Sequence, residues 1–200
     1  MKYTLSFLGL LVAGLLHAQT SPYKWHFGVK ADLNLTAFTG KGTISGYTTG
    51  FQAGVFAERV LNNRWSVQPE LLFTQNNTKK GDDFMTYYIT SGNPFAAPDI
   101  KLAYLSIPVL IKYNVTKAFS FLVGPQYGIL LVDAESLLRK GDGKAFKSSE
   151  FSGNVGAQFN MGKVALYGRY NQGFSNINNI DNRYAWRSSH IQLGIAVKIQ

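Results

Sequence analysis

A strict alternation of apolar and polar residues runs through residues 25–37 and constrains the fold more than any other feature of the chain. A period of two is the pattern of a β-strand with one apolar and one polar face. The alternation holds for about thirteen residues, whereas strands of soluble proteins usually have about five or six. A tilted strand that crosses a bilayer needs about 9–11 residues. The segment therefore predicts a membrane-spanning strand.

Seven further segments repeat this alternation, with less regularity in the fourth and seventh strands of the series. Together with the first segment they predict an all-β chain of eight strands, each apolar on one face. The additional segments are 49–60, 64–75, 101–113, 118–132, 151–159, 164–170 and 191–199.

The connections between these segments alternate in length. The short links are 61–63, 114–117 and 160–163, and the long ones are 40–47, 76–99, 133–149 and 173–187. Outer-membrane barrels of bacteria have short periplasmic turns and long outer loops. The pattern therefore predicts an eight-stranded antiparallel up-and-down transmembrane β-barrel with both termini in the periplasm.

The first 18 residues have the features of a cleavable export signal. Lys2 makes the start positive, an apolar stretch covers 5–16, and Leu-His-Ala at 16–18 provides a cleavage site. The apolar stretch is shorter than the roughly 20 residues of a transmembrane helix. We therefore predict a signal peptide at 1–18 and one outer-membrane barrel domain at 19–200, located in the cell outer membrane after export.

Composition argues against several classes of function. The chain has no cysteine, so it has no disulfide framework, no thiolate zinc site and no cysteine for a lipoprotein anchor. Its net charge of +9 is not gathered into a basic helix or stripe, and exported chains rarely meet nucleic acid, so we expect no nucleic-acid partner. We also expect no cofactor and no metal site.

Aromatic placement separates a membrane barrel from a soluble one. A lipocalin-like barrel also has eight strands, but it turns its apolar face inward. Five aromatic residues of the apolar face lie at strand ends beside the predicted periplasmic turns or terminus, where a membrane-interface girdle belongs. This arrangement favours the membrane barrel. The predicted periplasmic girdle consists of Trp25, Trp65, Tyr113, Phe119 and Phe159.

Charged residues of the polar face fall at two heights above the predicted periplasmic turns. Eight-stranded barrels enclose only enough space for side chains, and each height combines a carboxylate with basic groups. This predicts an interior filled by ion pairs, which differs from the one-sided charge of a selective pore. The lower level holds Glu58, Lys112 and Lys198, and the upper holds Lys30, Glu70 and Arg169, with Asp32 two residues further along.

Two histidines remain after the predicted signal, His26 and His190, and both are expected to point inward. His26 lies near the periplasmic end of the first strand and His190 near the outer end of the last. About eight residues of rise separate them by about 25 Å. They therefore cannot share a metal or acid/base site, and we predict no catalytic residue and no enzyme activity.

A basic collar is predicted at the periplasmic end, where the short turns carry no acidic residue. Two interpretations stand side by side. The collar binds phospholipid headgroups or an acidic periplasmic partner, since a basic residue beside anionic lipid contributes about 1 kcal/mol, or its side chains only extend to the interface. The collar consists of Lys24, Arg59, Arg64, Lys117 and Lys163.

The second long loop contains the aromatic stretch Phe-Met-Thr-Tyr-Tyr at 84–88. One interpretation is a hairpin that continues the neighbouring strands above the membrane, and the other is a surface for a ligand or partner. We favour the hairpin extension.

Four segments resemble the PorT-like family of outer-membrane barrels: GFQAGVFAERVLNNRWSVQPELLFTQ (50–75), YLSIPVLIKYN (104–114), LVGPQYGILL (122–131) and RYNQGFSNI (169–177). The resemblance covers nearly all of the chain after the predicted signal. It implies an outer-membrane barrel, and through the namesake of the family it implies a link to type IX protein secretion. It implies no catalytic residue.

These features favour a monomeric barrel, held in outer-membrane lipids, with a structural or interaction role. One form of that role is an accessory in protein secretion or surface assembly, with an envelope or secretion-system protein as partner. The first alternative is a narrow channel or porin-like barrel that binds a small ligand, and the second is a barrel enzyme that modifies lipid.

Overall fold

The computed structural model describes residues 24–41, 46–79, 83–88, 99–132, 145–180 and 183–199. The predicted signal peptide at 1–18 lies outside them. Among the described residues, no helix has the length and apolar character needed to cross a membrane. The elements are β1 (Trp25–Thr39), β2 (Thr48–Val60), β3 (Trp65–Lys79), α1 (Phe84–Tyr87), β4 (Asp99–Asn114), β5 (Phe119–Val132), β6 (Ser149–Met161), β7 (Val164–Gly173) and β8 (Arg187–Lys198).

The strands of the described chain form one closed sheet in sequence order. Each strand pairs antiparallel with the next one, and β1 also pairs with β8, from Gly28 opposite Lys198 to Thr39 opposite Arg187. This last pairing closes the barrel. The predicted eight-stranded up-and-down fold is thus confirmed.

The outer surface of the barrel is a band of large apolar side chains. Leu33 of β1 and Leu193 of β8 lie opposite each other and are 71% and 62% exposed. Water-soluble proteins rarely expose a continuous apolar surface of this extent. The band is therefore the part of the barrel that faces lipid, and the soluble lipocalin-like alternative does not fit, because its apolar face would lie inside.

β3 and β4 are longer than predicted. β3 continues to Lys79 and β4 begins at Asp99, outside the predicted 64–75 and 101–113. The two strands stay paired up to Lys79 opposite Asp99. This extension lies beyond the lipid-facing band, so residues such as Asn77 need not be apolar there. No alternation therefore marks it in the sequence.

The short turns are encoded by local side-chain hydrogen bonds. The Asn62 side-chain oxygen accepts from the backbone N–H groups of Arg64 and Trp65, each at 2.9 Å. Thr116 Oγ1 accepts from the N–H groups of residues 118 and 119 at 3.2 and 3.0 Å. Gly162 adopts a φ of 67°, which glycine allows at little cost. We call this side of the barrel the short-turn end and the opposite side the long-loop end.

Topology can be tested with epitope tags. A tag inserted at Asn62, in a short turn, is expected to escape antibodies on intact cells, whereas a tag at Asn179 is expected to be labelled. Gly81 and Gly141, which lie outside the described residues, are further predicted outer sites. Immunofluorescence before and after permeabilisation measures the difference. Labelling of the Asn62 tag on intact cells would contradict the predicted orientation, because it would show that the short turns face outward.

Candidate functional site

The lower charge level lies just inside the short-turn end. Glu58 of β2 accepts from Lys112 of β4 at 3.1 Å and from Lys198 of β8 at 2.8 Å. The hydroxyl of Ser66 also donates to Glu58, at 2.8 Å. Glu58 and Lys112 are almost wholly buried, while about a quarter of the Lys198 side chain is exposed, at 27%. The structure thus brings together the three residues predicted for this level, and they carry one positive charge in excess.

The upper level is centred on Glu70 of β3. Its carboxylate accepts from Lys30 of β1 at 3.0 Å and from Arg169 of β7 at 3.0 Å. Gln68 donates to the same carboxylate at 2.7 Å. All three charged side chains are 3% exposed or less. Each partner comes from a different strand, so this carboxylate connects three parts of the barrel wall through its interior.

Asp32 makes the upper level electrically neutral. It accepts from the hydroxyl of Tyr167 at 2.5 Å, and the Lys30 ammonium lies 3.9 Å from the centroid of the same ring. Lys30 and Arg169 then balance Glu70 and Asp32. A buried charge is tolerated only when it is paired and hydrogen-bonded. Glu70 meets that condition through Lys30 and Arg169, whereas Asp32 is held by the Tyr167 hydroxyl through one oxygen and its other carboxylate oxygen has no hydrogen-bond partner among the described residues.

A glycine leaves room for this set. Gly194 of β8 lies opposite Asp32. A Cβ atom at Gly194 would fall 2.4 Å from the Asp32 Cβ and 2.8 Å from the Tyr167 hydroxyl oxygen, distances that nonbonded atoms do not adopt. Any side chain at position 194 would therefore clash with Asp32 and Tyr167 and break the hydrogen bond between them.

Neutral polar side chains fill the next level toward the long-loop end. Thr36 Oγ1 lies 3.0 Å from His190 Nδ1 and 3.3 Å from Asn76 Oδ1. Asn34 is fully buried, and its side-chain amide has no hydrogen-bond partner among the described residues.

The two histidines lie apart. His190 sits opposite Thr36 in the pairing of β8 with β1, ten residues along β1 from His26. His26 lines the opening at the short-turn end. Within the described ranges, no three His, Cys, Asp or Glu side chains are grouped as a metal site would require.

An apolar cluster, here called the aromatic cap, closes the long-loop end. Residues 84–88 belong to it, so their interpretation as a continuation of the strands is wrong: 84–87 form helix α1, and Phe84 and Tyr88 are buried. Tyr88 and Trp186 meet edge to face at 5.6 Å. The buried cap residues are Phe38, Phe84, Tyr88, Leu102, Tyr104, Ala145, Phe146, Ile177 and Trp186.

Polar contacts join the loops of the cap to one another and to the chain just beyond β1. The Trp186 Nε1–H donates to the Lys41 carbonyl at 3.0 Å. Asn178 donates to the Tyr184 carbonyl at 2.7 Å, and Arg183 donates to the Tyr87 carbonyl at 3.0 Å. Sequence reasoning missed this cluster because most of its members come from separate loops, which share no period, and the others come from the ends of β1 and β4. Only the aromatic stretch at 84–88 was a visible signal.

The five predicted girdle residues lie at the short-turn end of the outer surface. Trp65 is paired with Tyr113, and their ring centroids are 4.7 Å apart. Phe119 is paired with Phe159 in the same way. Trp25 stacks on the neighbouring Phe27 at 6.2 Å.

The predicted basic collar divides into two groups. Arg64 and Lys117 line a cavity of about 690 Å³ that opens at the short-turn end, whereas Lys24, Arg59 and Lys163 do not line it. The guanidinium of Arg59 lies over the Trp25 ring, 5.6 Å from its centroid. The first group therefore borders the opening of the barrel, where Arg64 also contacts the girdle through the Tyr113 hydroxyl. In the second group, the Trp25 contact shows that Arg59 reaches the girdle.

Glu150 of β6 is a buried carboxylate in a different situation. It accepts a hydrogen bond from Ser188 and is 7% exposed, and no described cation forms an ion pair with it. Burying an unpaired charge is costly. We expect Glu150→Gln, which keeps an acceptor for Ser188, to raise the unfolding temperature by a few degrees, corresponding to about 1 kcal/mol.

Thermal unfolding in detergent at pH 8 measures this effect. Glu58→Gln is the matched control, because it removes the same charge from two ammonium partners and is expected to lower the unfolding temperature. A lower temperature for Glu150→Gln as well would show that Glu150 has a cationic partner in the folded protein.

Comparison with known proteins agrees with this architecture. The structure resembles Neisserial surface protein A (16% identity, 86% of this chain and 97% of that chain, TM-score 0.54). It also resembles Ail, the attachment invasion locus protein of Yersinia pestis (14%, 88% and 99%, 0.52), and OprG of Pseudomonas aeruginosa (10%, 89% and 97%, 0.50). No curated protein sequence matches the chain significantly.

The sequence itself identifies the family. Residues 17–179 match the model of the outer membrane protein beta-barrel domain, which covers well over half of the chain. The protein is accordingly located in the outer membrane, where bacterial barrels place short turns toward the periplasm and long loops outward. The chain belongs to the outer membrane protein beta-barrel domain family.

Proposed function

We propose that this barrel has a structural or interaction role in the outer membrane, as an accessory to protein secretion or surface assembly, and that it does not conduct. The observation that carries the proposal is the filled interior. Ion pairs around Glu58 and Glu70 occupy the periplasmic half, and the aromatic cap covers the outer end. A selective pore would need a continuous path with charge of one sign.

The proposal includes membership of the PorT-like group and removal of residues 1–18 from a mature domain at 19–200. The matched family model supports the general class, and the four quoted segments support the finer group. N-terminal sequencing of the protein from envelopes tests the cleavage, with Gln19 as the expected first residue.

The proposal also treats the barrel as non-catalytic. A hydrolytic site would bring a nucleophile, a base and an orienting group within hydrogen-bond reach. His190 lies opposite Thr36 of β1, ten residues along that strand from His26, so the two histidines cannot act together. The buried carboxylates Glu58 and Glu70 form ion pairs with cations.

On the outer surface we assign the girdle to anchoring at the periplasmic interface. Its five aromatic residues are amphipathic or apolar rings placed at one level. Lys24, Arg59 and Lys163 of the collar flank this level and meet phospholipid headgroups. The contact between the Arg59 guanidinium and the Trp25 ring joins the basic collar to the aromatic girdle.

Two measurements test the function. In a planar lipid bilayer the purified barrel is expected to show no steady single-channel current, and a steady current would replace the proposal with the narrow channel. Affinity purification from gently solubilised envelopes is expected to recover a stoichiometric envelope protein. Recovery of the barrel without any partner protein, from both growing and resting cells, would contradict the proposed interaction role.

A further inference from the structure

The cavity at the periplasmic end of the barrel carries a net positive charge. Four of its lining residues are cationic, namely Arg64, Lys112, Lys117 and Lys198, and one, Glu58, is anionic. Glu58 already accepts from Lys112 and Lys198. The floor therefore keeps one positive charge in excess, before Arg64 and Lys117 at the rim are added.

The rim cations have unused donor capacity. One guanidinium nitrogen of Arg64 lies 3.3 Å from the Tyr113 hydroxyl. Neither Arg64 nor Lys117 forms an ion pair with a described carboxylate. Five N–H groups of a guanidinium and three of an ammonium are suited to carboxylate or phosphate oxygens. Arg64 and Lys117 are exposed at the rim, whereas Lys112 and Glu58 at the floor are buried, so water screens the floor charges less than the rim charges.

We infer that this cavity binds an acidic peptide segment of a periplasmic protein. Its volume of about 690 Å³ lies within the range of about 300–1,000 Å³ that is usual for ligand sites, so it admits a short segment but no folded domain. The inference rests on the proposed interaction role and names the chemistry of the partner.

The neutral part of the lining suits a peptide. Asn63, Asn114, Thr116 and Asn160 line the cavity beside the cations. The Thr116 and Asn160 side chains and the Asn114 side-chain oxygen already bond within the wall. The Asn63 side-chain amide and the Asn114 side-chain NH2 group are therefore the groups that would bond to the backbone of a bound segment. The cations would receive the side-chain carboxylates.

Lipid phosphate carries similar oxygens but is less well placed. The cavity opens inside the ring of strands, since its floor residues Glu58 and Lys112 are interior side chains. Headgroups lie around the outer wall, beside Trp25 and Arg59. A phospholipid would have to place its headgroup inside the barrel while its acyl chains remain outside across the rim.

The test uses the purified full barrel in dodecyl maltoside and a fluorescent peptide of four glutamates between two glycines. We expect saturable one-to-one binding that weakens with added salt. Arg64→Gln/Lys117→Gln is expected to reduce affinity about tenfold, since two charge-assisted contacts are lost. Lys24→Gln/Lys163→Gln removes the same charge from the same end outside the cavity, and it is expected to leave affinity within about twofold.

The outcomes separate the alternatives. Absence of saturable binding, or equal losses in the two double variants, would overturn the cavity site. Displacement of the peptide by phosphatidylglycerol in mixed micelles at lower concentration than by unlabelled peptide would assign the site to lipid phosphate and overturn the peptide. Inorganic phosphate is expected to compete only weakly. Because no partner protein is present, this result is independent of the purification from envelopes.

Discussion

Glu70→Ala is expected to lower the unfolding temperature of the barrel in detergent by roughly 10 °C. The variant leaves Lys30 and Arg169 buried without the carboxylate that both contact at 3.0 Å. Removing one member of a buried ion-pair set typically costs about 3–5 kcal/mol, because the remaining charge is uncompensated. About 1 kcal/mol shifts the unfolding temperature of a chain of this size by roughly 2–4 °C.

A surface carboxylate provides the control. Asp82→Ala in the second long loop is expected to leave the unfolding temperature unchanged, although Asp82 lies outside the described residues. Asp83 is exposed and makes no side-chain hydrogen bond to helix α1. Asp83→Ala is therefore expected to unfold at the same temperature as the unsubstituted protein. Circular dichroism against temperature compares the variants with the unsubstituted protein. Equal unfolding of Glu70→Ala and Asp83→Ala would argue against an interior held by ion pairs.

Val155→Arg is expected to destabilise the barrel in phospholipid vesicles by about 2–4 kcal/mol, the usual cost of arginine on the lipid face near the bilayer midplane. Val155 is 55% exposed and lies midway along β6, between the outward residues Phe151 and Phe159. In a water-soluble barrel an exposed valine would tolerate this change. The prediction therefore depends on the lipid contact of this face.

Val132→Arg is the matched control, with the same chemistry at a different depth. Val132 is 58% exposed at the long-loop end of β5, where arginine can reach the interface and the cost falls to about 0–1 kcal/mol. Urea titration of tryptophan fluorescence in vesicles measures both variants. Equal stability of the two arginine variants would contradict the position assigned to the lipid band.

The sequence predicted the charge levels better than the loops, for a physical reason. Strand residues alternate between two faces, so counting from the turns places Glu70 beside Lys30 and Arg169 although they lie on three strands. This counting applies only within the paired strands and cannot place residues of the loops. Phe146 and Trp186 approach to 5.3 Å in the aromatic cap from separate loops, and no periodic rule relates them.

The packing of the interior apolar residues could not be predicted for a similar reason. Alternation places Phe56 and Leu72 on the inward, mostly polar face, and both are buried there, but it does not say what they contact. Phe56 lies opposite Gly28, and its ring lies 2.4 Å from the point where a Gly28 Cβ would be. An aromatic ring over a glycine fills space that only the three-dimensional register reveals.

The pairing of β1 with β8 has a consequence for how the barrel assembles. In the described chain it is the pairing that joins the two ends, and the Thr36–His190 contact across it spans 154 positions. Closing so long a loop costs more entropy than forming a hairpin, so we expect the hairpins to pair before the ring closes. Until closure, β1 and β8 are unpaired edges. Lys30 of β1 and Glu70 of β3 are separated by β2 alone, but Arg169 of β7 reaches Glu70 across the interior only when the ring is closed, so this second ion pair stabilises the closed barrel against opening.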